Sequence, residues 1–333
     1  MTALSLVTGA TGFIGSHLVR ALLEQGQRVR VIVRSPDRLA AVELDHAELE
    51  VVTGDLLEPQ TLPPALADVT RLYHVAGFIS TARRDKDAIH RLNVNITRNL
   101  FEATRGQGID KIVYLASIFA LGGGAGPTPA REDVPYDLED FGVEYFVAKR
   151  KAELYARQCA AEGLPIVFAY PCFCYGPGDV HRSSSKAIEM HLRRLLVTAL
   201  PGGQNAMDVR DAAAGLIKAM DRGAIGERYL LGGQNVTNAQ LGTMLAAITG
   251  YPRPVLPLPA GVARLVGRAA ERLLASPPLD EQAARIATRF WYYDDEKARR
   301  ELGHTSRPLE TTLRDTVEWM IRAGRAERPP RMT

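Results

Sequence analysis

Two side chains spaced four residues apart are the strongest chemical feature of the sequence. Tyr145 and Lys149 lie in a segment of helical pattern, 143–162, and residues four apart share one face of a helix. A free tyrosine has a pKa of about 10, too high for easy proton exchange at neutral pH. A neighbouring ammonium group favours the phenolate and lowers that pKa. Tyr145 is therefore a candidate for exchanging a proton with a substrate oxygen.

A second pair, Tyr293 and Lys297, has the same spacing, so the spacing alone is not specific. Three acidic residues separate its ends, and we interpret it as the start of a helix capped by an aspartate, far from the sheet. Tyr145 is favoured because Ser117 ends an apolar run some 30 residues before it. A serine at that edge of a sheet is placed to hydrogen-bond a substrate oxygen.

A glycine-rich turn follows the first apolar run of the chain. The run 4–7 leads into Gly9, Gly12 and Gly15, and a helical pattern begins at once. The first glycine permits a tight turn, the second lets the backbone approach a pyrophosphate at the positive helix N-terminus, and the third allows close packing of helix on strand. This setting predicts a dinucleotide site, which also takes in the other residues of the turn, Thr8, Thr11, Phe13 and Ile14.

The end of the second apolar run, 29–33, predicts which dinucleotide is bound. An acidic residue there would accept hydrogen bonds from the ribose 2′-hydroxyl of NAD. Instead, Arg34 follows the run and Arg38 lies one turn further on, and arginine suits the 2′-phosphate of NADP. We therefore predict NADP(H), with NAD(H) as the alternative. The third run ends near Asp55 and Leu56, which we place beside the adenine edge.

Short apolar runs alternate with segments of helical spacing through the first half of the chain. The runs are rich in Val, Ile and Leu and show little alternation, as strands buried on both faces of a parallel sheet do. Strands alternating with helices in this way form βαβ units. We predict an α/β fold with a Rossmann-type doubly wound parallel sheet, with strands at 4–7, 29–33, 49–52, 72–75, 112–115 and 166–169.

Beyond about residue 175 helical patterns dominate. We predict a NAD(P)-binding Rossmann domain, residues 1–175, and a smaller, mostly helical substrate-binding region, residues 176–333. One short strand, 228–231, is a candidate for joining the sheet. The helices of this region are predicted at 184–198, 211–222, 237–249, 262–274, 294–302 and 309–323.

Composition and charge exclude several classes of protein. The 333 residues are 46% hydrophobic and 24% charged, which is typical of a globular chain and excludes a disordered one. With 41 basic and 38 acidic residues, the net charge of +3 is too balanced for a protein of nucleic acids or membrane surfaces. The long uncharged stretches are broken by Gly or Pro, so no membrane span is predicted.

The three cysteines, Cys159, Cys172 and Cys174, predict neither disulfides nor a metal site. Their odd number in a large chain argues for a reducing compartment, and we expect a cytoplasmic protein. No second cluster of ligands completes a site with Cys172 and Cys174, so we interpret these two as small apolar residues at a buried strand end.

Together these motifs resemble the extended short-chain dehydrogenase/reductases of the NAD(P)-dependent epimerase/dehydratase superfamily, and in particular the dihydroflavonol-reductase-like branch. The segment 8–15 matches the TGxxGxxG motif, Tyr145 and Lys149 match YxxxK, and Ser117 matches the catalytic Ser/Thr. The resemblance implies that Asn93 acts near the catalytic lysine and that the chain forms a homodimer through two helices beside the catalytic one. It also implies cofactor contacts by Val75, Ala76, Gly77 and Pro171.

Departures from the family pattern narrow the chemistry. Ile118 and Phe119 occupy the places of the Asp-Glu pair with which sugar-nucleotide dehydratases eliminate water. Phe173 stands where sugar-nucleotide epimerases hold the diphosphate with an Asn. Phe78, Phe119 and Phe173 suit a hydrophobic or aromatic carbonyl substrate, with core packing as the alternative. His181 is a further pocket candidate, with a solvated loop as the alternative.

Three functions are compatible with these features. The first is an NADPH-dependent reductase of a carbonyl group on a small-molecule substrate, with Tyr145 as the proton donor. The second is a sugar 4-epimerase that oxidises and re-reduces one carbon with a retained NAD. The third is a non-catalytic nucleotide sensor, which the intact set of Tyr145, Lys149 and Ser117 disfavours.

Overall fold

Seven parallel strands form the main sheet of the computed structural model, in the order β10-β6-β5-β4-β1-β2-β3. The structure describes residues 3–44, 47–80, 82–124, 126–180, 185–193, 198–252, 256–273 and 281–332. The strands are β1 Leu4–Thr8, β2 Arg28–Val33, β3 Leu49–Thr53, β4 Arg71–His74, β5 Lys111–Leu115, β6 Ile166–Pro171, β7 Phe173–Tyr175, β8 Thr198–Ala199, β9 Gly203–Asp208, β10 Arg228–Leu231, β11 Gln234–Thr237, β12 Leu256–Pro257 and β13 Phe290–Trp291.

The apolar runs explain why this sheet forms. β1, β5 and β6 are interior strands of the sheet, and their apolar side chains are almost fully buried because helices cover both faces. The predicted strand β10 pairs in parallel with β6, so the C-terminal half supplies one edge of the sheet. β1 lies between β2 and β4, where the strand order reverses, and folds of this kind bind ligands at the carboxyl ends of such strands.

The helices flank the sheet and build the region that follows it. They are α1 Phe13–Glu24, α2 Asp37–Ala40, α3 Pro63–Leu66, α4 Lys86–His90, α5 Ile96–Thr104, α6 Ile118–Leu121, α7 Glu144–Ala161, α8 Lys186–Leu192, α9 Val209–Arg222, α10 Asn238–Thr249, α11 Ala260–Leu273, α12 Glu281–Ala287, α13 Glu296–Leu302 and α14 Leu309–Arg322. The sequence around residues 87–105 has helical spacing, and the chain there is helical. A π-helical turn, Arg91–Asn95, connects α4 to α5 within this segment.

The C-terminal region is helical, as predicted, but it also contains a second sheet that the prediction missed. β9 pairs with β11, β13 and β7, and the resulting four-stranded sheet packs against α10 and α14. The strand β9 has the sequence GQNAMD, and the polar side chains hide its strand character. The helix predicted at 184–198 corresponds to α8, which spans Lys186–Leu192. Residues 194–197 lie outside the described part of the chain.

Within the part of the chain that the structure describes, no helix is both long enough and apolar enough to cross a membrane. The three cysteines are free and buried, as interpreted from the sequence. Burial raises the pKa of the Cys172 thiol well above its ordinary value.

Candidate active site

The glycine turn between β1 and α1 is closed so tightly that side chains are excluded. Gly9 has a φ of +74°, and a Cβ there would lie 2.7 Å from the backbone of Ala76 at the end of β4. A Cβ on Gly15 would lie 2.1 Å from the carbonyl oxygen of Gly9. The amide of Gly12 donates to that same oxygen at 2.9 Å. At Gly9, Gly12 and Gly15 the turn therefore presents backbone atoms instead of side chains at the carboxyl end of β1.

The N-terminus of α1 has the character of an anion site. The first amides of a helix lack intrahelical acceptors and carry partial positive charge. Gly12 is the N-cap residue without a side-chain cap, and no acidic residue occupies the first turn of α1. These features fit the diphosphate of a dinucleotide. Thr11, Gly12 and Ile14 are partly exposed here, whereas Phe13 is buried.

The Thr8 side chain lies buried beneath this turn, and a cofactor contact by Thr8 stays a prediction. It is 0% exposed. Its hydroxyl bonds to Nδ1 of His74 at 2.9 Å and accepts from the amides of Val75 and Ala76, both at 3.2 Å. Burial lowers the pKa of His74 to about 3, so its imidazole is neutral. Thr8 thus ties β1 to the end of β4.

Arg34 and Arg38 lie beyond the end of β2, and both are exposed. Among the described residues, neither guanidinium has a hydrogen-bonding or ion-pairing partner. Asp55 and Leu56 follow β3 on the same side of β1. The Asp55 carboxylate accepts from the Leu57 amide at 2.9 Å, which fixes the loop. The structure therefore leaves two unpaired positive charges beside the turn.

Ser117, Tyr145 and Lys149 converge at the carboxyl end of β5. Ser117 follows that strand as the N-cap of α6, and its hydroxyl accepts from the Phe119 amide at 3.3 Å. Tyr145 and Lys149 lie one turn apart on α7, and each is 7% exposed. Burial raises the pKa of Tyr145 to about 12, and a hydrogen bond with Ser117 acts in the opposite direction. The predicted lowering of this pKa therefore does not occur within the chain alone, because desolvation outweighs it.

Lys149 is enclosed without a carboxylate partner among the described residues. Its Nζ lies 3.5 Å from the carbonyl oxygen of Leu115 and 5.8 Å from the centre of the Tyr114 ring. Burial lowers the pKa of Lys149 to about 8. A Cβ on Gly77 would lie 3.8 Å from Nζ, so the ammonium group faces the loop that follows β4. That loop, with Val75 and Ala76, also borders the glycine turn, which joins the two halves of the site.

Asn93 holds this loop in place from the π-helical turn. Its amide nitrogen donates to the carbonyl oxygens of Phe78, at 2.9 Å, and Ile89, at 2.8 Å. Its side-chain oxygen accepts from the Phe78 amide at 3.2 Å and would lie 3.1 Å from a Cβ on Gly77. Asn93 is 2% exposed, so it positions the loop opposite Lys149. Single π-helical turns often occur at functional sites.

An aromatic cluster borders Tyr145. Phe119 contacts the Tyr145 ring, with centroids 6.0 Å apart, and also contacts Phe173 at 5.9 Å and Trp291 at 5.0 Å. Phe119 and Phe173 are partly exposed, so the cluster has an open side. Phe78 packs at the margin of the core, and Pro171 is buried at the end of β6. His181 lies outside the described residues.

Sequence reasoning missed Trp291, Phe141 and Arg289. The Arg289 guanidinium lies over the Phe141 and Trp291 rings and donates to the carbonyl oxygen of Gly124 at 2.9 Å. It also pairs with Asp137 at 2.6 Å. These residues are far apart in the chain, and no local motif marks them. They clamp the glycine segment 122–124 behind Phe119.

The pair Tyr293 and Lys297 separates in the structure, but Tyr293 is closer to the site than the sequence indicated. Its hydroxyl donates to the carbonyl oxygen of Gly122 at 2.9 Å, so it is a buried support of the same segment. Lys297 instead pairs with Glu227. Asp295 is the N-cap residue of α13 but makes no side-chain cap hydrogen bond, whereas an Asp294 oxygen accepts from the Glu296 amide at 3.0 Å.

A glycine turn at a helix N-terminus and a buried Ser-Tyr-Lys set at the same sheet edge define a Rossmann-type oxidoreductase. The chain belongs to the NAD dependent epimerase/dehydratase family, whose model matches residues 5–232. It is an NAD(P)-dependent oxidoreductase of the extended short-chain dehydrogenase/reductase type.

Comparison with known proteins gives relatives along nearly the whole chain. A Synechocystis sp. protein provisionally assigned as a dihydroflavonol 4-reductase is 33% identical, over 96% of this chain and 94% of that protein. Sterol demethylase protein B of Methylococcus capsulatus is 32% identical, over 96% and 99%. The crystal structure of gox2253 aligns with a TM-score of 0.85 and 31% identity, over 98% of this chain and 100% of that chain. A nucleoside-diphosphate-sugar epimerase of Pseudomonas aeruginosa, PA4631, aligns at 0.81 with 26% identity, over 98% and 100%.

Proposed function

We propose that this protein reduces the carbonyl group of a small, apolar substrate with NADPH. One observation carries the proposal: Ser117, Tyr145 and Lys149 lie together at the carboxyl end of β5, with Phe119 against the Tyr145 ring. When bound, the nicotinamide supplies the hydride. Everything else in the reaction falls to side chains of this chain.

Burial keeps Tyr145 protonated, and proton transfer from it then depends on the Lys149 charge that stabilises the phenolate. A phenol whose pKa is about 12 stays protonated at neutral pH and holds a proton for the developing alkoxide. Ser117 hydrogen-bonds the same oxygen and orients it. Lys149 carries a buried positive charge that stabilises the phenolate left on Tyr145, and its ammonium group would hydrogen-bond the cofactor ribose. Asn93 keeps the 77–78 loop at the right distance from Lys149.

The aromatic cluster supports an apolar substrate. Phe119 contacts Tyr145 and Phe173 contacts Phe119, at positions where dehydratases and sugar-nucleotide epimerases carry polar groups. The names of two relatives are consistent with an apolar carbonyl substrate. They are 2-alkyl-3-oxoalkanoate reductase of Stenotrophomonas maltophilia and the farnesyl-dihydroquinoline-oxide ketoreductase of Stigmatella aurantiaca.

Tyr145→Phe tests the proposed reaction. The variant keeps the ring but lacks the proton, so kcat should fall by about 10²–10⁴-fold while NADPH binds with unchanged affinity. Turnover is followed by NADPH absorbance across a panel of ketones and aldehydes, and binding by NADPH fluorescence. Tyr292→Phe, which removes a hydroxyl outside the site, is the control and should leave both unchanged. Near-normal turnover by Tyr145→Phe would show that another group donates the proton.

We also propose that NADPH is preferred over NADH. Arg34 and Arg38 are exposed and unpaired among the described residues, beside the end of β2 where a ribose 2′-phosphate would lie. Arg34→Ala should raise the KM for NADPH by about tenfold, as expected for one charged hydrogen bond, and leave that for NADH unchanged. Arg28, at the other end of β2, pairs with Glu50, and Arg28→Ala is the control. Equal changes for both cofactors would refute the preference.

A sugar 4-epimerase is the second candidate, favoured by the alignment with PA4631. It requires an NAD that is retained during purification and no net consumption of cofactor. Mass spectrometry of denatured protein, together with interconversion assays on nucleotide sugars, separates the two functions. Tightly held NAD with sugar interconversion and no ketone reduction would replace our first proposal.

A further inference from the structure

Helix α11, Ala260–Leu273, presents an apolar face to solvent. Val262, Leu265, Val266 and Leu273 are 45%, 67%, 49% and 82% exposed. At about 100° per residue, these four side chains fall within an arc of about 100°. Ala263 and Gly267, on another side of the helix, are buried where α11 packs against α12. The apolar arc is therefore an outer surface of the helix and not part of the core.

A row of arginines runs along one border of this arc. Arg264, Arg268 and Arg272 are spaced by four residues and lie next to Leu265 on the helix surface. Arg268 pairs with Glu281, whereas Arg264 and Arg272 have no ion-pairing partner within the described part of the chain. The one acidic residue of α11, Glu271, lies on the far side of this row. The exposed face thus combines leucine and valine side chains with a strip of positive charge.

The helix is attached to the candidate active site through its neighbour α12. The Gln282 side chain donates to the carbonyl oxygen of Gly142 at 3.2 Å, and the Arg285 guanidinium lies 4.7 Å from the centre of the Phe141 ring. Phe141 contacts Trp291, which contacts Phe119. The pair α11–α12 consequently lies beside the aromatic cluster.

We propose that α11 docks on the surface of a membrane that carries anionic headgroups. A helix with leucines on one face and arginines beside them lies in the interface, with its apolar face among the acyl chains and its cations at the phosphates. Arginine stems also reach from the apolar layer to the headgroups. The same face of a second copy would supply three further arginines, so the charge favours an anionic surface.

This docking goes beyond the proposed reductase activity and is measured without turnover. It would bring the aromatic cluster close to apolar molecules dissolved in the bilayer, and only that consequence rests on the proposed function. The inactive variant Tyr145→Phe should bind vesicles like the wild type. A failure to bind vesicles would therefore leave the reductase proposal untouched.

Vesicle flotation with the full-length protein tests the docking. Vesicles of phosphatidylcholine are compared with vesicles containing about 30% phosphatidylglycerol, at low salt and at about 0.5 M salt. The variants are Leu265→Ser with Leu273→Ser, and Arg264→Gln with Arg272→Gln. Ile225→Ser is the matched control, because Ile225 is 56% exposed outside α11. Thermal melting and NADPH fluorescence show that each variant is folded.

We expect the wild type and Ile225→Ser to float with the anionic vesicles. The leucine variant should lose about a hundredfold in vesicle affinity, because each of its two buried leucines contributes about tenfold. The arginine variant should lose the preference for phosphatidylglycerol and the sensitivity to salt. Absence of wild-type flotation, or equal flotation of the folded leucine variant, overturns the proposal. The proposal is also overturned if the wild type does not float and forms an oligomer that the leucine substitutions dissociate, because the face would then join two copies.

Discussion

Lys149 places a positive charge in a buried site, and this has an energetic cost. Burial lowers its pKa from 10.5 to about 8, so the ammonium form is disfavoured in the folded chain. The unfolded chain binds this proton more tightly. Stability therefore rises with pH between about 8 and 10.5 and is lowest below that window.

Lys149→Met should consequently stabilise the protein at pH 7. The shift corresponds to about 3 kcal/mol in the free energy of unfolding, and the gain should vanish above about pH 10.5, where both states of the wild type are neutral. Urea unfolding at pH 7 and pH 10.5, without cofactor, measures it. Turnover should be lost in the same variant. Lys151→Met, two residues along α7 and exposed, is the control and should show no such pH-dependent gain.

A destabilised Lys149→Met variant at pH 7 would show that the ammonium group is satisfied by its surroundings. In that case the Leu115 carbonyl and the Tyr114 ring would outweigh the loss of hydration. The comparison thus measures whether burial of the Lys149 ammonium group lowers the free energy of unfolding.

The residues that sequence reasoning placed in the site are those with local signals. Tyr145 and Lys149 are four apart on one helix, and Ser117 directly follows a strand, so short patterns mark them. Thr8 belongs to the glycine-rich motif 8–15, which is also a local pattern. Its residue type could not show that its hydroxyl bonds to His74. Trp291 reaches the site only through tertiary packing across about 150 residues, and no local pattern records such a contact.

Among the elements, the β1–α1 turn depends most strictly on its residue types. A Cβ at Gly15 would collide with the backbone of Gly9, which cannot move without opening the turn. Gly15→Ala should therefore destabilise the protein by about 1–3 kcal/mol and weaken NADPH binding. Thermal melting and fluorescence titration measure the two effects.

Gly26→Ala is the matched control for the turn. Gly26 has a φ of +69°, but a Cβ there meets nothing within 4 Å. It should cost about 1 kcal/mol for the left-handed backbone and leave NADPH affinity unchanged. Equal losses of NADPH affinity in the two variants would mean that the turn is not the binding element.

Elements with an unbroken apolar pattern were predictable, and those with mixed sequences were not. β1, β5 and β6 are buried on both faces and consist of aliphatic runs. β9 belongs to the second sheet and contains polar side chains. Gln204 donates a hydrogen bond to Tyr175, and Asn205 donates one to Asn235. Such a strand is defined by its partners, which only the folded chain reveals.

At the scale of the whole molecule, net charge does not describe how charge is arranged locally on the surface. The balance of +3 predicts no membrane surface, and the proposal for α11 departs from that prediction because the row Arg264, Arg268 and Arg272 concentrates charge beside exposed leucines. An average over the chain cannot show a local arrangement of this kind.

The resemblance to the family implies a homodimer through two helices beside the catalytic helix α7, and we predict that the exposed face of α7 takes part in the contact. Leu154 on α7 is 47% exposed, an apolar side chain available for such a contact. Leu154→Arg should shift the protein from dimer to monomer in sedimentation velocity, because the contact would bury unpaired charge. Ile225→Arg is the control and should remain a dimer. A monomeric wild type would exclude this assembly.

The parallel pairing of β10 with β6 has a consequence for synthesis. About 60 residues separate the two strands, and ribosomes add roughly 5–20 residues per second. For several seconds, then, a nascent chain that has completed β6 lacks the strand that covers its outer edge. An uncovered backbone edge is a template for pairing with other chains. The nucleotide-binding sheet of this enzyme is thus closed only after much of its C-terminal half has been made.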